Sequence, residues 1–418
     1  MGNDLRFPTG LTGFPTDSHA SEYSAVLGIA PRKILLVYGT RPEAIKMAPL
    51  ILALDEAEGF EAVSVVTGQH REMLDQVLAH FSITPAHDLK IMEPGQSLTD
   101  ITVRTLERLT PIISAEAPDA VVVQGDTTAA MAGALAAFYQ QIPVVHLEAG
   151  LRSGDLLSPF PEELNRRLVS QLAALHLAPT GSARDNLLYE RTDPQRIVVT
   201  GNTVIDSLLW SIEHPAPYSQ AELRGLDVDP RRVILVTAHR RESWGEPMKA
   251  IGAAIAAIAG CQPGVVFVLP VHRNPVVRES LLPAIEGLDN VIICEPLGYG
   301  EFVRLIDRAD LILTDSGGLQ EEGPALGKPV LVMRETTERP EAVEAGGVRL
   351  VGTDVEVIVD AVLTLLQDGE QYDLMAVRRD VYGDGQAARR SVAALRHLFG
   401  IGSQADEFTP RVRELMPL

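Results

Sequence analysis

The chain has 418 residues, of which 46% are hydrophobic and 22% are charged, and its net charge is −20. This length suits two domains better than a single core. An acidic surface of this kind repels nucleic acid and anionic lipid, and no apolar run approaches the ~20 residues that span a bilayer. We therefore expect no nucleic-acid or membrane partner, and any anionic ligand must be held by a local cluster of bases.

The first 31 residues contain Gly, Pro, Ser and Asp and lack the basic and apolar regions of a secretion signal, which predicts a disordered extension, 1–31. Cys261 and Cys294 are the only cysteines of the sequence, too few for a disulfide framework or a Cys-rich metal site. Both fall in or beside apolar runs, so we expect buried thiols and a cytoplasmic protein.

Residues 33–54 (KILLVYGTRPEAIKMAPLILAL) predict a strand, a tight turn and a helix. Pro42 suits the first helical turn, and Arg41 and Lys46 are placed within that turn. Cationic side chains and free backbone N–H groups would converge there and attract an anion such as a phosphate. The alternative is an ordinary βα unit with two solvated bases.

Short β-branched runs alternate with amphipathic stretches along the rest of the chain. Strands are predicted at 34–38, 62–67, 120–124, 144–147, 175–178, 197–200, 233–237, 265–271, 291–294, 311–314, 330–333 and 348–351. Helices are predicted at 71–80, 98–116, 127–139, 248–259, 302–308 and 355–366. Near-continuous apolar strands that alternate with helices indicate parallel sheets covered on both faces.

A polar, Pro-containing segment at 212–232 interrupts this alternation, and we place the inter-domain connection near it, with about six strands on each side. The predicted fold class is α/β, with two Rossmann-like, doubly wound parallel-sheet domains that face a cleft. In such sheets ligands bind beyond the carboxyl ends of the strands. The residues that follow each strand are therefore the candidate site.

These strand ends are unusually polar. In the first half carboxylates follow the strands, as Asp126 and Glu148 do. In the second half bases predominate, with His239 and Arg240 after one strand and His272 after another. The Ser-Gly-Gly turn at 316–318 leads into a helix, and such a turn lets a backbone approach a phosphate closely. We interpret it as a diphosphate site.

Several of these residues also have a structural interpretation. Asp126 could cap a helix that begins at Thr127, and Asp315 and Ser316 could likewise be caps. Glu162 follows the Pro-containing loop 158–161, whose restricted backbone favours a fixed position for this carboxylate. A solvated acidic loop is the alternative for that segment.

Several common motifs are missing. The sequence has no G-x-G-x-x-G after its first strand, no G-x-x-x-x-G-K-[ST], and no H-x-x-x-H or C-x-x-C metal spacing. His70 begins a predicted helix and His146 lies in an apolar strand, so both are interpreted as structural. Without these motifs we predict no metal, and catalysis must come from side chains and from the substrate itself.

A series of motifs resembles, in order and spacing, the non-hydrolysing UDP-N-acetylglucosamine 2-epimerases. The motifs are GTRPEAIKMAPL, TGQHREMLDQV, GDTT, HLEAGLRSGD, PEELNR, TGNTVID, HRRES, PVHRNP, TDSGGLQEE, GKPVLVMRETTERPEA and YGDGQA. The match runs from Lys33 to about Arg390. Only the first 30 and the last 20 or so residues fall outside it.

The resemblance implies a glycosyltransferase-B type fold. Its first domain would be 32–200 plus 387–418, with a last helix around 387–398 that crosses back onto it, and its second domain, 201–386, would bind UDP. It also implies that UDP-GlcNAc and UDP-ManNAc are interconverted by inversion at C2, through anti elimination of UDP to 2-acetamidoglucal and re-addition. No nicotinamide cofactor and no metal are implied. A homodimer is usual, and bacterial members supply ManNAc units for surface polysaccharides.

The same matching assigns roles to site residues. The catalytic residues would be Asp126, Glu148, Glu162 and His239. The nucleotide-sugar contacts would be Arg41, Lys46, Arg166, His239, Arg240, Ser316, Gly317, Gly318 and Glu322, with Glu322 accepting the ribose hydroxyls. A second, activating site would include Gln69, His70, Arg71 and His272. Glu72 and Gly95 depart from the family's usual pattern there, which counts against activation.

Other functions share parts of this pattern. A glycosyltransferase would need an acceptor pocket rather than three carboxylates around one sugar carbon. A hydrolysing 2-epimerase would release free ManNAc and UDP, although the Arg-Pro-Glu of 41–43 matches the non-hydrolysing group better. A non-catalytic nucleotide-sugar sensor could lose Asp126, Glu148 or Glu162, yet all three are present. A dehydrogenase is the weakest alternative because the glycine fingerprint is missing.

Overall fold

The computed structural model describes residues 30–68, 71–93 and 95–410, apart from the side chains of Arg71 and Glu72. Within these residues the chain forms two parallel β-sheets. The predicted extension at 1–31 lies outside the described residues except for its last two positions. In this part of the chain, none of the helices combines the length and the apolar character needed to cross a membrane.

The first sheet has seven parallel strands. They are β1 (Arg32–Tyr38), β2 (Phe60–Val66), β3 (His87–Asp88), β4 (Ala120–Gln124), β5 (Val144–Leu147), β6 (Ala173–Ala178) and β7 (Ile197–Val199). Their order in the sheet is β3-β2-β1-β4-β5-β6-β7, so β1 pairs with both β2 and β4. The winding direction reverses between β1 and β4, which is where a doubly wound sheet opens a crevice for a ligand.

Helices cover both faces of this sheet. They are α1 (Arg41–Glu56), α2 (Arg71–His80), α3 (Leu98–Glu116), α4 (Thr128–Tyr139), α5 (Glu162–Leu172), α6 (Gly181–Tyr189) and α7 (Thr203–Glu213). Ile34 and Leu36 of β1 pack into one buried apolar cluster, and Leu35 and Val37 pack into another. This alternation is what a strand buried on both faces requires.

The second sheet has six parallel strands. They are β8 (Arg232–Thr237), β9 (Val265–Pro270), β10 (Val291–Cys294), β11 (Leu311–Thr314), β12 (Val330–Val332) and β13 (Val348–Leu350), in the order β10-β9-β8-β11-β12-β13. Its helices are α8 (Glu246–Cys261), α9 (Pro275–Ile285), α10 (Tyr299–Arg308), α11 (Leu319–Ala325), α12 (Pro340–Glu344), α13 (Val355–Gln367) and α14 (Gly369–Met375). The reversal of winding falls between β8 and β11.

Two helices join the halves. Helix α7 contacts α1 and α10, and the last helix, α15 (Ala387–Leu398), packs against α1 and α7. One buried apolar cluster runs from Ile34 in β1 through Leu208 in α7 to Val303 in α10. Beyond α15, the backbone N–H of buried Phe408 donates to the Val199 carbonyl at 2.7 Å. The domain boundaries at 200 and 386 stay a prediction.

The predicted α/β class is confirmed, and every predicted strand is present with its ends within two residues of the expected positions. The first sheet has seven strands instead of about six because β3, with two residues, is too short to carry an alternating pattern. The prediction of two buried thiols is wrong for Cys261, which is exposed, whereas Cys294 is buried. Cys261 ends α8, outside the apolar face of that helix.

Gly150 and Gly154 provide a matched test of close packing against α6. Both have positive φ, +91° and +86°, but a Cβ at Gly150 would stand 2.2 Å from the Ala183 carbonyl oxygen, whereas nothing lies within 4 Å at Gly154. We expect Gly154→Ala to lower the free energy of unfolding by about 1 kcal/mol and Gly150→Ala by about 3 kcal/mol. Urea unfolding measures both, and equal losses would contradict the close approach.

Candidate active site

A buried carboxylate organises the turns that follow β1 and β4. Thr40 caps α1, and the Glu43 carboxylate accepts from the backbone N–H groups of Gly39 and Thr40 at 2.9 and 2.7 Å. The hydroxyl of Thr127, which follows β4, donates to the same carboxylate at 2.7 Å. Burial raises the pKa of Glu43. The two turns at the switch point of the first sheet are therefore bonded to each other.

Glu148, at the end of β5, carries a charge in a buried position. Its carboxylate accepts from Lys46 Nζ and from Gln124 Nε2, each at 2.5 Å, and its side chain is 8% exposed. Burial alone would raise the pKa of Glu148, but the Lys46 ammonium, the Asn202 amide and the Arg339 guanidinium together outweigh burial and hold that pKa below its ordinary value. The backbone φ of Glu148 is +62°, a strained value that is rare outside glycine and common at functional sites.

Asp126 is held by helix α5. Arg166 lies 2.6 Å from the Asp126 carboxylate, and Asn165 Nδ2 donates to the Asp126 backbone carbonyl at 2.9 Å. Asp126 does not cap the following helix, because the hydroxyl of Thr127 accepts from Ala130 N instead. The structural interpretation of Asp126 is therefore wrong, and its carboxylate is fixed by a neighbouring guanidinium at the strand ends.

Glu162 and Glu163 open helix α5 and differ in their surroundings. Glu163 is fully buried and accepts from Ser153 N and from Arg166 and Arg167. Glu162 is half-buried, and its carboxylate has no hydrogen bond or ion pair among the described residues. The buried neighbour anchors the loop, which leaves the Glu162 carboxylate available to a ligand.

In the second half, Asp315 orients a histidine. The Asp315 carboxylate is fully buried, accepts from the backbone N–H groups of His239 and Arg240 at 2.7 Å, and lies 3.1 Å from His239 Nδ1. Burial alone would raise the pKa of Asp315, but the His239 imidazole and the two backbone donors hold it below its ordinary value. Asp315 is thus not a helix cap. Its carboxylate instead bonds the backbone at His239 and Arg240 and lies beside the His239 ring, whose side chain is 38% exposed.

Two guanidinium groups crowd the Ser-Gly-Gly turn. Helix α11 begins at Leu319, after this turn. A Cβ added to Gly317 would meet Arg339 Nη1 at 2.7 Å and Arg240 Nη2 at 3.2 Å. Among the described residues, no hydrogen-bond partner reaches the buried Nε of Arg240. Ser316 is half-buried and Gly318 is exposed, so backbone and guanidinium donors gather at an accessible point.

Glu322 of α11 stands near bases from both halves. Burial, and then the charge of Glu321, raise the pKa of Glu322 to about 7, against the opposing effects of Arg41, Lys46 and Arg339. Arg41 Nη2 donates across the cleft to the Leu297 carbonyl at 3.4 Å. Burial lowers the pKa of Arg41. Bases from the first half thus face the acidic helix of the second.

The predicted second site is described only in part. The His272 ring is stacked with that of His239, with centroids 6.0 Å apart and planes 18° apart. Gln69 and His70 lie outside the described residues, and for Arg71 only its place at the start of α2 is described. The second site therefore stays a prediction.

His146 is fully buried, and its Nε2 lies 2.8 Å from the Gly125 carbonyl oxygen. Burial lowers the pKa of His146 to about 4, so the ring is neutral at pH 7. The structural interpretation of His146 agrees with these contacts. Among the residues that the structure describes, no group of three or more His, Cys, Asp and Glu side chains is placed to hold a metal ion.

Known proteins are similar to this chain in sequence and fold over most of their length. The sequence profile of the family described as UDP-N-acetylglucosamine 2-epimerase matches residues 52–396. The chain belongs to the UDP-N-acetylglucosamine 2-epimerase family. An enzyme of that name from Salmonella typhimurium is 55% identical over 370 residues, which cover 87% of this chain and 98% of the relative. The Escherichia coli K12 enzyme is 54% identical over 371 residues, which cover 87% and 98%.

Solved structures agree with this assignment. The crystal structure of the UDP-GlcNAc 2-epimerase from Neisseria meningitidis, bound to UDP-GlcNAc, matches with a TM-score of 0.80 at 47% identity, covering 87% of this chain and 100% of that chain. These comparisons confirm the predicted family. They also confirm the prediction of an epimerase with a glycosyltransferase-B type fold.

The sequence analysis assigned no role to three residues of the cleft, which are Asn202, Glu321 and Arg339. Asn202 Nδ2 donates to Glu148 Oε1 and to Glu321 Oε2, both at 3.0 Å, and Arg339 Nε donates to Glu321 Oε1 at 2.6 Å. Asn202 and Arg339 lie in motifs of the family resemblance, TGNTVID and ETTERPEA, which is the signal that could have found them. Their contacts continue from Glu148 across the cleft to the Arg339 side chain, which stands beside Gly317.

The turn at Gly317 predicts an anion site that a methyl group would disrupt. In Gly317→Ala the new Cβ must displace the Arg339 and Arg240 guanidinium groups, so we expect pyrophosphate to bind at least about tenfold more weakly. Gly264→Ala, in the same half with nothing within 4 Å, is the control and should bind as the wild type does. Isothermal titration calorimetry measures both variants, and equal affinities would place the anion elsewhere.

Proposed function

We propose that this chain interconverts UDP-GlcNAc and UDP-ManNAc by inverting C2 of the sugar. The observation that carries the proposal is the chain of contacts from Glu148 through Asn202 and Glu321 to Arg339. These contacts join a carboxylate of the first half to the guanidinium pocket of the second half. Membership of the epimerase family supports the same reaction.

The diphosphate of the substrate binds at the turn of Ser316, Gly317 and Gly318, where Arg240 and Arg339 approach the backbone. Guanidinium forks and backbone N–H groups suit phosphate oxygens, and they neutralise the charge that develops on the leaving diphosphate. Glu322, at the start of the following helix, accepts the ribose hydroxyls. This arrangement points the sugar towards the carboxylates of the first half.

In the first half-reaction a carboxylate removes the proton from C2. The C1–O bond to UDP breaks on the opposite face, the electrons of the C2–H bond form the C1=C2 double bond of 2-acetamidoglucal, and UDP leaves with both electrons of the C1–O bond. Glu148 is suited to be a base because the Lys46 ammonium lowers its pKa and keeps it ionised at neutral pH. Asp126 and Glu162 lie at the same ends of the first sheet.

In the second half-reaction UDP attacks C1 again, and a proton returns to C2 on the other face. A different acid must deliver this proton, since one carboxylate cannot serve both faces of a held sugar. Asp126, Glu148 and Glu162 provide three candidates, and His239, oriented by Asp315, is placed with the bases around the diphosphate. The two half-reactions balance without an oxidant, so they need no nicotinamide cofactor, and the proposal includes no metal.

We also propose that the protein is a homodimer and acts in the cytoplasm, as is usual for the resembled family. Its product would provide ManNAc units for polysaccharides. Sedimentation of the purified chain tests the dimer, and a monomer at micromolar concentration would contradict it.

Exchange at C2 tests the reaction directly. Incubated with UDP-GlcNAc alone in D₂O, the protein is expected to give an equilibrium mixture that contains UDP-ManNAc, with deuterium at C2 of both sugars, because the C2 proton is lost to a solvent-exchangeable group. NMR of the products measures both outcomes. Stoichiometric release of free hexosamine would favour a hydrolysing 2-epimerase instead, and unchanged UDP-GlcNAc would favour a binding protein.

Asp126→Asn is the matched control for that experiment. The amide keeps the shape of the side chain but cannot exchange a proton with carbon, so we expect turnover to fall about 10²- to 10⁴-fold while UDP still binds. Unaltered turnover in this variant would remove Asp126 from the catalytic set.

The raised pKa of Glu322 predicts a pH dependence. Only the ionised carboxylate accepts two ribose hydroxyls, so kcat/KM for UDP-GlcNAc should fall as pH drops through the pKa of about 7, by up to about tenfold per pH unit. The diphosphate of UDP-GlcNAc is esterified at both ends and does not titrate in this range. Glu322→Gln should lower kcat/KM and remove the inflection. If the inflection in the pH profile of kcat/KM persists in Glu322→Gln, the titrating group is not Glu322.

A further inference from the structure

Asn202 occupies the crossing between the two halves of the molecule. It follows β7 and caps α7, with its Oδ1 accepting from the Val204 backbone N–H at 3.1 Å. Its own backbone N–H donates to the Tyr382 carbonyl at 2.6 Å, in the segment that leads back to α15. The residue is 4% exposed. Hydrogen bonds therefore fix both the backbone and the side-chain oxygen of Asn202, independently of its amide nitrogen.

The amide nitrogen of Asn202 serves two carboxylates. One proton of Nδ2 is directed to Glu148 Oε1 and the other to Glu321 Oε2, both at 3.0 Å. Each carboxylate also has a cation of its own half, Lys46 for Glu148 and Arg339 for Glu321. The Asn202 amide is thus a neutral double donor between two buried ion pairs that belong to opposite sides of the cleft.

This placement explains why an amide is needed. The helix cap requires an oxygen acceptor, and the two carboxylates, which would repel each other, require donors between them. Asparagine supplies one acceptor and two donors in a planar group. Because the cap fixes Oδ1, the Nδ2 protons can satisfy both carboxylates only when Glu148 and Glu321 approach from the two sides together.

We propose that Asn202 is a positioning residue for the epimerisation, which sets the Glu148 carboxylate in its reactive position when Glu321 and Arg339 of the other half are in place. A diphosphate that binds Arg339 therefore acts on Glu148 through Glu321 and Asn202. This inference rests on the proposed function, because it concerns the use of Glu148 on the sugar.

Two variants distinguish this positioning role of Asn202 from a purely structural role as a helix cap. Asn202→Asp keeps the capping oxygen but replaces the donor with a third carboxylate among Glu148 and Glu321. Asn202→Ser keeps a capping oxygen, adds no charge and is too short to reach either carboxylate. Asn274→Asp, the same exchange at the cap of α9, is the control, because its Oδ1 accepts from Val276 N there in the same way.

We expect Asn202→Ser to lower kcat about tenfold or more at every pH, while KM and the affinity for UDP stay within about threefold of the wild type. The helix cap is kept, since serine caps a helix as well as asparagine does, but Glu148 and Glu321 each lose a donor, so the unfolding midpoint should fall. A cap alone would leave both the unfolding midpoint and kcat unchanged in this variant, because the serine keeps the cap.

Asn202→Asp gives a second signature. The new carboxylate faces Glu148 and Glu321 as well as the cations Lys46 and Arg339, and one of the three acids must take up a proton at neutral pH. We expect a loss of kcat of about tenfold or more at pH 8 that is partly recovered as pH falls towards 6, because a protonated aspartate can donate again. Asn274→Asp should keep the wild-type pH profile.

The outcomes separate this inference from the proposed function. A wild-type protein that leaves UDP-GlcNAc unchanged refutes the proposed function. An active wild type together with wild-type kcat and pH profile in both Asn202 variants overturns the inference alone. If neither variant folds, Glu321→Gln replaces them, because it leaves the cap intact. A fall in kcat larger than the change in UDP affinity is then expected, and an unaltered kcat overturns the inference.

Discussion

A buried ion pair between Lys46 and Glu148 is the interaction on which the site depends. Glu148 is 8% exposed, and a carboxylate so placed would take up a proton if it had no partner. Lys46 reaches it from the helix after β1, and Gln124 reaches it from the end of β4. The strand order places these ends side by side, so the reversal of winding in the first sheet is what keeps a charged carboxylate inside the cleft.

The second half supplies the opposite charge. The chain as a whole carries −20, yet Arg240 and Arg339 meet at the Ser-Gly-Gly turn, where the lack of side chains lets them approach the backbone. These two bases provide one cationic point on an otherwise acidic molecule, and this is where we propose that the diphosphate binds. Because Arg339 is tied through Glu321 and Asn202 to Glu148, one continuous set of contacts joins the proposed diphosphate site to the proposed base.

The sequence predicts most of the fold, since buried parallel strands are apolar along their whole length and their ends are marked by polar residues. Asp126 and Glu148 could be found because each lies within two residues of the end of such a strand. The pairing of Asp126 with Arg166, 40 positions away, and of Asn202 with Glu321, 119 positions away, could not. Such contacts depend on how helices pack, and the two-residue strand β3 left no pattern to recognise.

The central claim is that both halves bind one nucleotide sugar. A crystal structure of Asp126→Asn with UDP-GlcNAc tests it most directly. The account predicts that the diphosphate contacts Ser316, Gly317 and Arg339 while C2 of the sugar lies within about 3.5 Å of a carboxylate oxygen of the first half. A nucleotide bound to one half alone, with its sugar directed away from Glu148 and Glu162, would contradict the account.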